Sequence, residues 1–232
     1  SRETKTPMIA FSPVSLAGDQ GAWAVTTAQP VELMIDALVA DMKKRNFKQV
    51  AYIGFSDSWG DLVYDGLMKS AASAGIKVLT NERYARADQS VAGQILKVIA
   101  SRPDAVVTGV SGTPGALPFL SLAERGYKGQ IYGLHSMINP DFVRVAGASA
   151  QGLIAPAGPV IVAEQLPENF VTRKMSMDFR AAFQRQHNAP TTDAFSAYAF
   201  DAMLVLANAM ERVPAALKPG TAEYRTALRD AI

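Results

Sequence analysis

Three residues that could together carry out nucleophilic catalysis each follow a strand-like segment: Asp57, Ser111 and His135. A histidine can remove the proton of a serine, and a carboxylate can orient that histidine, so these residue types could form a hydrolytic triad. The surrounding sequence does not support this chemistry. Gly109 to Thr113 reads GVSGT, which lacks the last glycine of the G-x-S-x-G pattern. We therefore predict no catalytic residues and a protein that is not an enzyme.

Cofactor and metal sites find equally little support in the sequence. Proline occupies position 114, where a P-loop beginning at Gly109 would need a glycine, and no G-x-G-x-x-G or H-E-x-x-H pattern occurs. The chain has no cysteine, and its two histidines, His135 and His187, lie far apart. A formal net charge of only +2 gives no indication of a nucleic-acid partner. We predict no cofactor, no metal ion and no nucleic acid.

A ligand-binding rim is the remaining interpretation of these strand-end residues. Ligands of parallel α/β sheets bind beyond the carboxyl ends of the strands, where Trp59, Ser111, Thr113 and His135 are all expected. Each also has a plain structural interpretation: an aromatic packed on its own loop, a turn that opens a helix at Pro114, and a histidine that begins a helix. Their occurrence on one rim favours a binding site.

Five apolar segments of strand length recur in the middle of the chain, with helical patterns between them. They are 48–55, 76–84, 104–110, 130–135 and 152–158. Their starts are spaced by about 22 to 28 residues, the size of a strand–helix unit. This alternation predicts a parallel sheet of five strands that is covered by helices on both faces.

Two of the predicted helices show a clear apolar face. The first is marked by Val31, Ile35, Leu38 and Met42, and the second by Val91, Ile95 and Val98. Asp88 is the predicted N-cap of the second helix, because its carboxylate could accept hydrogen bonds from the first-turn amides.

The strand–helix alternation stops after about residue 160, where two helical patterns follow, split near 188–194. Residues 28–160 are therefore predicted to form a nearly complete α/β domain. Residues 1–27 and 161–232 would belong to another domain, and only part of that other domain is expected within these 232 residues.

The connectors between the two domains are predicted at 26–30 and 157–163, running side by side as a hinge. The chain begins at Ser1 rather than at a methionine and is expected to be part of a longer protein. No stretch approaches the roughly 18 apolar residues of a membrane span, so no direct membrane insertion is predicted.

Three segments, in this order, resemble one known family. They are VAYIGFSDSWGD at 50–61, the stretch from YARADQSVAGQ to GYKGQIYG at 84–133, and AYAFDAMLVLANAM at 197–210. They resemble the leucine/isoleucine/valine-binding type of periplasmic solute-binding protein, the type I two-domain receptors that feed ABC importers. The resemblance covers nearly the whole chain and depends on the order of its elements rather than on one sharp motif.

The resemblance implies a type I periplasmic binding protein fold, in which two three-layer α/β/α lobes each contain a parallel sheet. By this likeness, domain one comprises 1–27 and 161–232, and domain two comprises 28–160. The first part of domain one and the C-terminal strands would be missing from this chain.

The ligand-binding positions of the family carry over to both domains. In domain one, the loop that holds the ligand's carboxylate corresponds to Ser12, Pro13 and Val14, with Ser15 as a further candidate. Phe195 falls at the apolar or aromatic position that begins the late domain-one helix.

In domain two, Trp59 corresponds to the family's aromatic residue before a glycine, and Ser111 to the polar or aromatic residue after the third strand, with Thr113 close by. His135 occupies the position at which amino-acid-binding members carry a glutamate. That glutamate pairs with the ligand's ammonium, and a buried ammonium that lacks such a partner loses several kcal/mol of compensation.

An imidazole at position 135 could instead donate to an oxygen or carry positive charge beside an anion. With the flat faces of Trp59 and Phe195, it favours an aromatic acid or an aryl keto acid as ligand. Branched-chain amino acids are the alternative.

The resemblance implies a periplasmic receptor that captures a small carboxylate by closing its cleft and delivers it to a membrane ABC permease. The ligand-sensing domain of a transcriptional regulator is a further alternative, because the same fold serves that role.

Overall fold

The computed structural model of the chain describes residues 3–14, 18–189 and 193–232. These residues form two compact units. One consists of Ser1–Gln29 together with Phe195–Ile232, and the other of Pro30–Ala194. We call them the first and the second unit.

The described residues form six strands and eight α-helices. The strands are β1 (Met8–Ala10), β2 (Ala24–Thr26), β3 (Gln49–Phe55), β4 (Lys77–Tyr84), β5 (Ala105–Gly109) and β6 (Gln130–Tyr132). The helices are α1 (Val31–Lys44), α2 (Ser58–Ala74), α3 (Ala92–Ala100), α4 (Ala116–Glu124), α5 (Pro140–Ala146), α6 (Arg173–His187), α7 (Ala194–Arg212) and α8 (Ala222–Ala231). Among the described residues, none of these helices is long and apolar enough to cross a membrane.

The second unit is built on a parallel sheet in the order β4–β3–β5–β6. Four of the five predicted strands are therefore confirmed. The fifth segment, 152–158, is not a full strand. It pairs with the sheet through one parallel bridge between Tyr132 and Ile154, supported by a 3.0 Å bond from the amide of Gly133 to the carbonyl of Ile154.

The position of β3 inside the sheet explains why its sequence is almost continuously apolar. Successive side chains point to opposite faces of a sheet. Val50 and Tyr52 pack in one core with α1 and α2, whereas Ala51, Ile53 and Phe55 pack in a second core with α3, α4 and α5. Because both faces are covered, every position from Val50 to Phe55 is buried. The predicted three-layer arrangement is confirmed for this unit.

Both apolar helix faces were predicted correctly, but the predicted cap was not. Val31, Ile35, Leu38 and Met42 are buried on α1, and Ile95 and Val98 are buried on α3. The N-cap of α3 is Val91, not Asp88. Asp88 lies too early in the chain to reach this helix, and its carboxylate accepts a 2.8 Å bond from the amide of Ala85 in the preceding turn.

The first unit contains a short parallel pair, β1 and β2, together with α7 and α8. β1 and β2 have three residues each, and neither is among the five segments predicted as strands. Side chains connect the two parts of this unit. Thr27 Oγ1 donates to the carbonyl of Tyr198 at 2.9 Å, and the guanidinium of Arg229 lies 4.5 Å from the centre of the Trp23 ring.

The unit boundaries differ from the sequence-based domain boundaries at one end. The first boundary, Gln29/Pro30, lies close to the predicted 27/28, but the second falls after Ala194 rather than after residue 160. The segment between them contains a 3-10 helix, Pro159–Gln165, against which α6 packs, with Arg180 and Glu164 forming an ion pair. Its assignment to domain one of a longer protein stays a prediction.

Candidate functional site

The loop after β3 is fixed by a strong helix cap. Asp57 is the N-cap of α2, and its Oδ1 accepts hydrogen bonds from the amides of Trp59 at 3.0 Å and Gly60 at 3.1 Å. Aspartate is one of the preferred N-cap residues because its carboxylate satisfies first-turn amides that have no partner within the helix. Trp59 is therefore held in a defined first turn.

The glycine that follows Trp59 is required by a close backbone approach. A Cβ atom at Gly60 would lie 2.0 Å from the carbonyl oxygen of Phe55, well inside contact distance. Any larger residue would push the start of α2 away from the end of β3. The Trp–Gly pair noted in the sequence thus combines an aromatic side chain with the residue that lets its helix approach the sheet.

The carbonyl of Val110 joins two strand-end loops. Trp59 Nε1 donates to this oxygen at 3.2 Å, and Ser136 Oγ donates to it at 2.8 Å. Trp59 is partly buried and packs against both hydrophobic cores of the unit. The plain interpretation of Trp59 was an aromatic residue packed only on its own loop. The bond to Val110 shows that the indole is also positioned by the edge of the sheet.

His135 lies beside this indole and is uncharged at neutral pH. The ring centres of Trp59 and His135 are 6.0 Å apart, with an angle of 37° between the ring planes. His135 is 1% exposed and begins a 3-10 helix, His135–Met137. Burial lowers the pKa of His135 to about 4. The neutral imidazole is thus favoured over the imidazolium that the sequence left open.

Arg86 belongs to the same group of residues, although it was not among the predicted site residues. Its Nε donates to Asp57 Oδ2 at 2.6 Å, and its Nη1 donates to Ser111 Oγ at 2.8 Å. The guanidinium carbon lies 4.1 Å from the centre of the Phe55 ring. The signal was available, because Arg86 follows the end of β4 and the strand-end rule applies to every strand of the sheet.

The contacts of Asp57 differ from those of a catalytic triad. Partial burial raises the pKa of Asp57, but the hydrogen bonds from the Gly60 amide and the Arg86 side chain outweigh it and hold the pKa below its usual value. Its carboxylate is occupied by helix amides and a guanidinium rather than by orienting an imidazole. Ser111 accepts from that same guanidinium, which cannot act as a general base.

Thr113 lies two residues beyond Ser111 with its side chain exposed. It begins a 3-10 helix, Thr113–Gly115, that leads into α4, so the predicted helix start near Pro114 is confirmed. Trp59, Ser111 and His135 are therefore linked at the carboxyl edge of the sheet through Val110 and Arg86, and Thr113 follows on the same loop.

The domain-one positions lie in the first unit. Ser12 contributes its carbonyl to a 3.1 Å hydrogen bond from Thr26 Oγ1, while Pro13 is partly buried and Val14 is exposed. Phe195 packs edge-on against Tyr198, with 5.8 Å between the ring centres. Ser15 lies outside the described residues. That the eight predicted positions bind a ligand stays a prediction.

Within the described parts of the chain, no three His, Cys, Asp or Glu side chains come together in a way that could hold an ion. At its sheet edge the second unit combines a partly buried indole, two hydroxyl groups and a guanidinium, with the neutral imidazole of His135 buried beside the indole.

Comparison with known families and structures gives a consistent match. A family model described as periplasmic binding protein matches residues 2–232. An extracellular ligand-binding receptor from Rhodopseudomonas palustris HaA2 is 40% identical, with a TM-score of 0.95 over 99% of this chain and 64% of its own. No curated protein sequence matches significantly.

More distant structures share the fold. A leucine-binding protein from Thermotoga maritima is 18% identical, with a TM-score of 0.81 over 99% of this chain and 62% of its own. A solute-binding protein of an R. palustris ABC transporter, in complex with benzoate, is also 18% identical, with a TM-score of 0.76 over 99% of this chain and 61% of its own. These matches confirm the predicted fold class. The chain spans less than two thirds of the length of these proteins.

Proposed function

Because the chain belongs to the periplasmic binding protein family, we propose that it is part of an extracytoplasmic receptor that delivers a small carboxylate to a membrane ABC permease. The favoured ligand is an aromatic acid or an aryl keto acid. The receptor would capture its ligand by lobe closure, as the family resemblance implies, and would carry out no chemical reaction.

The observation that carries this ligand class is the pairing of Trp59 with His135. An indole offers a flat apolar face on which an aromatic ring can stack. Its neighbour at 6.0 Å is an imidazole held neutral by burial, not a carboxylate. A neutral imidazole can donate to a carboxylate or keto oxygen, but it cannot compensate the charge of an ammonium.

The Val110 carbonyl supports the same conclusion. A backbone carbonyl has two lone pairs and is a common partner for an ammonium group. At this site both lone pairs are engaged, by Trp59 Nε1 and by Ser136 Oγ. An incoming ammonium would have to displace one of these donors. The benzoate bound to a structural relative shows that this fold accommodates an aromatic acid in another protein.

The experiment that tests the proposal is titration calorimetry on the full-length receptor. The panel pairs benzoate and phenylpyruvate with phenylalanine and leucine, so that ring and ammonium are varied separately. We expect the two acids to bind and the two amino acids to bind much more weakly. Tight binding of leucine without a response to the acids would establish the branched-chain alternative instead.

A further inference from the structure

Arg86 connects two of the proposed ligand-binding loops. One of its five N–H groups binds Asp57, the cap residue of the Trp59 helix, and a second binds Ser111. Its side chain is 47% exposed to solvent. The contact with the Phe55 ring holds the guanidinium plane at the sheet edge.

The bond to Arg86 occupies one lone pair of the Ser111 hydroxyl oxygen. A guanidinium has donors and no acceptor, so Ser111 Oγ must be the acceptor at 2.8 Å. Its own O–H is then left to donate to another group. The hydroxyl can therefore donate to a ligand oxygen while it accepts from Arg86.

The hydrogen-bond acceptors near Arg86, the Asp57 carboxylate and the Val110 carbonyl, are largely occupied. Asp57 Oδ1 accepts two helix amides and Oδ2 accepts Arg86 Nε, which uses three of the roughly four lone-pair positions of a carboxylate. The Val110 carbonyl already accepts two bonds. Little acceptor capacity is therefore left on Asp57 and Val110, whereas Arg86 has further N–H groups beyond the two that bind Asp57 and Ser111.

We propose that Arg86 is the residue that selects an oxyanion ligand at this rim, by donating directly to the ligand's carboxylate and by keeping Ser111 as a second donor. This inference rests on the proposed function and adds a recognition residue to it. The pairing with Asp57 balances the charge of Arg86, so recognition comes from directed hydrogen bonds rather than from net positive charge.

The test compares an acid with its neutral amide in the full-length receptor. Calorimetry with benzoate and benzamide is carried out on the unsubstituted protein and on Arg86→Gln. We expect Arg86→Gln to weaken benzoate binding about 10- to 100-fold, as for a lost hydrogen bond to a charged group, and to change benzamide binding much less. A general loss of structure would weaken both ligands alike.

Two further variants complete the design. Arg144→Gln is the matched control, because Arg144 also pairs with an aspartate, Asp141, at an exposed position on α5. It should bind both ligands normally. Arg86→Lys retains the charge without the forked donors and should lose an intermediate amount of benzoate affinity. If Arg86→Gln fails to fold, Arg86→Lys takes its place in the comparison of benzoate with benzamide.

The outcomes separate this inference from the proposed function. If the unsubstituted receptor binds benzoate and neither Arg86 variant changes the acid-to-amide ratio, Arg86 is not the selecting residue, while the proposed function stands. If the unsubstituted receptor binds no carboxylate at all, the proposed function fails and this inference falls with it.

Discussion

The hydroxyl group of Tyr52 donates a 2.6 Å hydrogen bond to the carbonyl oxygen of Gly60. This bond connects the middle of β3 to the first turn of α2, directly after Trp59. Tyr52 is fully buried, and its ring also contacts Tyr64, with 5.1 Å between the ring centres. The aromatic residue at the candidate site is thus supported from inside the sheet.

Removing this hydroxyl should destabilise the protein. We expect Tyr52→Phe to lower the free energy of unfolding by about 1–2 kcal/mol, because Gly60 is buried and its carbonyl would lose a partner. Urea denaturation measures this change. Tyr127→Phe is the control: the Tyr127 hydroxyl is buried without a hydrogen-bond partner among the described residues, so its removal should be neutral or stabilising. A larger loss for Tyr127→Phe would contradict the assignment.

The position of Tyr52 also requires glycine on the neighbouring strand. A Cβ atom at Gly109 would lie 1.8 Å from the Tyr52 hydroxyl oxygen. Because this ring is buried and cannot swing into solvent, we expect Gly109→Ala to cost roughly 3 kcal/mol or more of stability. Gly93 in α3 faces open space, so Gly93→Ala should instead stabilise by about 0.5–1 kcal/mol. Similar melting temperatures for the two variants would refute this packing.

The stability of the protein should fall at acidic pH through His135. Its pKa is about 4 in the folded protein, against an ordinary value of 6.5. Between these values the unfolded state binds more protons, so the stabilising contribution of the neutral imidazole is complete above pH 6.5 and declines towards pH 4. The full effect is on the order of 3 kcal/mol.

Denaturation curves at several pH values across this window test the expectation. His135→Asn should remove most of the decline. His187→Asn, at an exposed position of α6, should leave it unchanged. An identical pH profile for the unsubstituted protein and His135→Asn would show that another group controls acid stability.

Trp59 should contribute strongly to ligand affinity in the full-length receptor. Trp59→Ala removes the stacking surface, so we expect a loss of about 2–4 kcal/mol, or roughly 30- to 1000-fold in affinity for an aromatic acid. Trp59→Phe keeps an aromatic ring, loses the bond to Val110, and should lose about tenfold. Calorimetry measures both variants. Trp23→Phe, in the first unit, should bind normally, and an equal loss there would point to general damage.

The sequence by itself determined the parallel α/β architecture and much of its core. The runs that became β3, β4, β5 and β6 and the apolar faces of α1 and α3 could be predicted because they depend on local periodicity. The strand-end rule also placed Trp59, Ser111 and His135 on one rim. Burial on one sheet face, or at one strand end, is encoded within a few residues.

Only the tertiary structure decided how the rim is connected. Arg86 meets Ser111 across 25 residues of sequence, and Trp59 meets Val110 across 51. Neither pair has a local pattern, because each depends on how crossover helices bring separate strand ends together. The chain passes through α3 between Arg86 and Ser111, and through both α2 and α3 between Trp59 and Val110. Segment 152–158 is a further example. Its apolar residues predicted a strand, but in the folded protein it pairs with β6 through a single bridge. Residues far apart in sequence form hydrogen bonds only where the fold brings them close together, and the order of residues alone does not specify this.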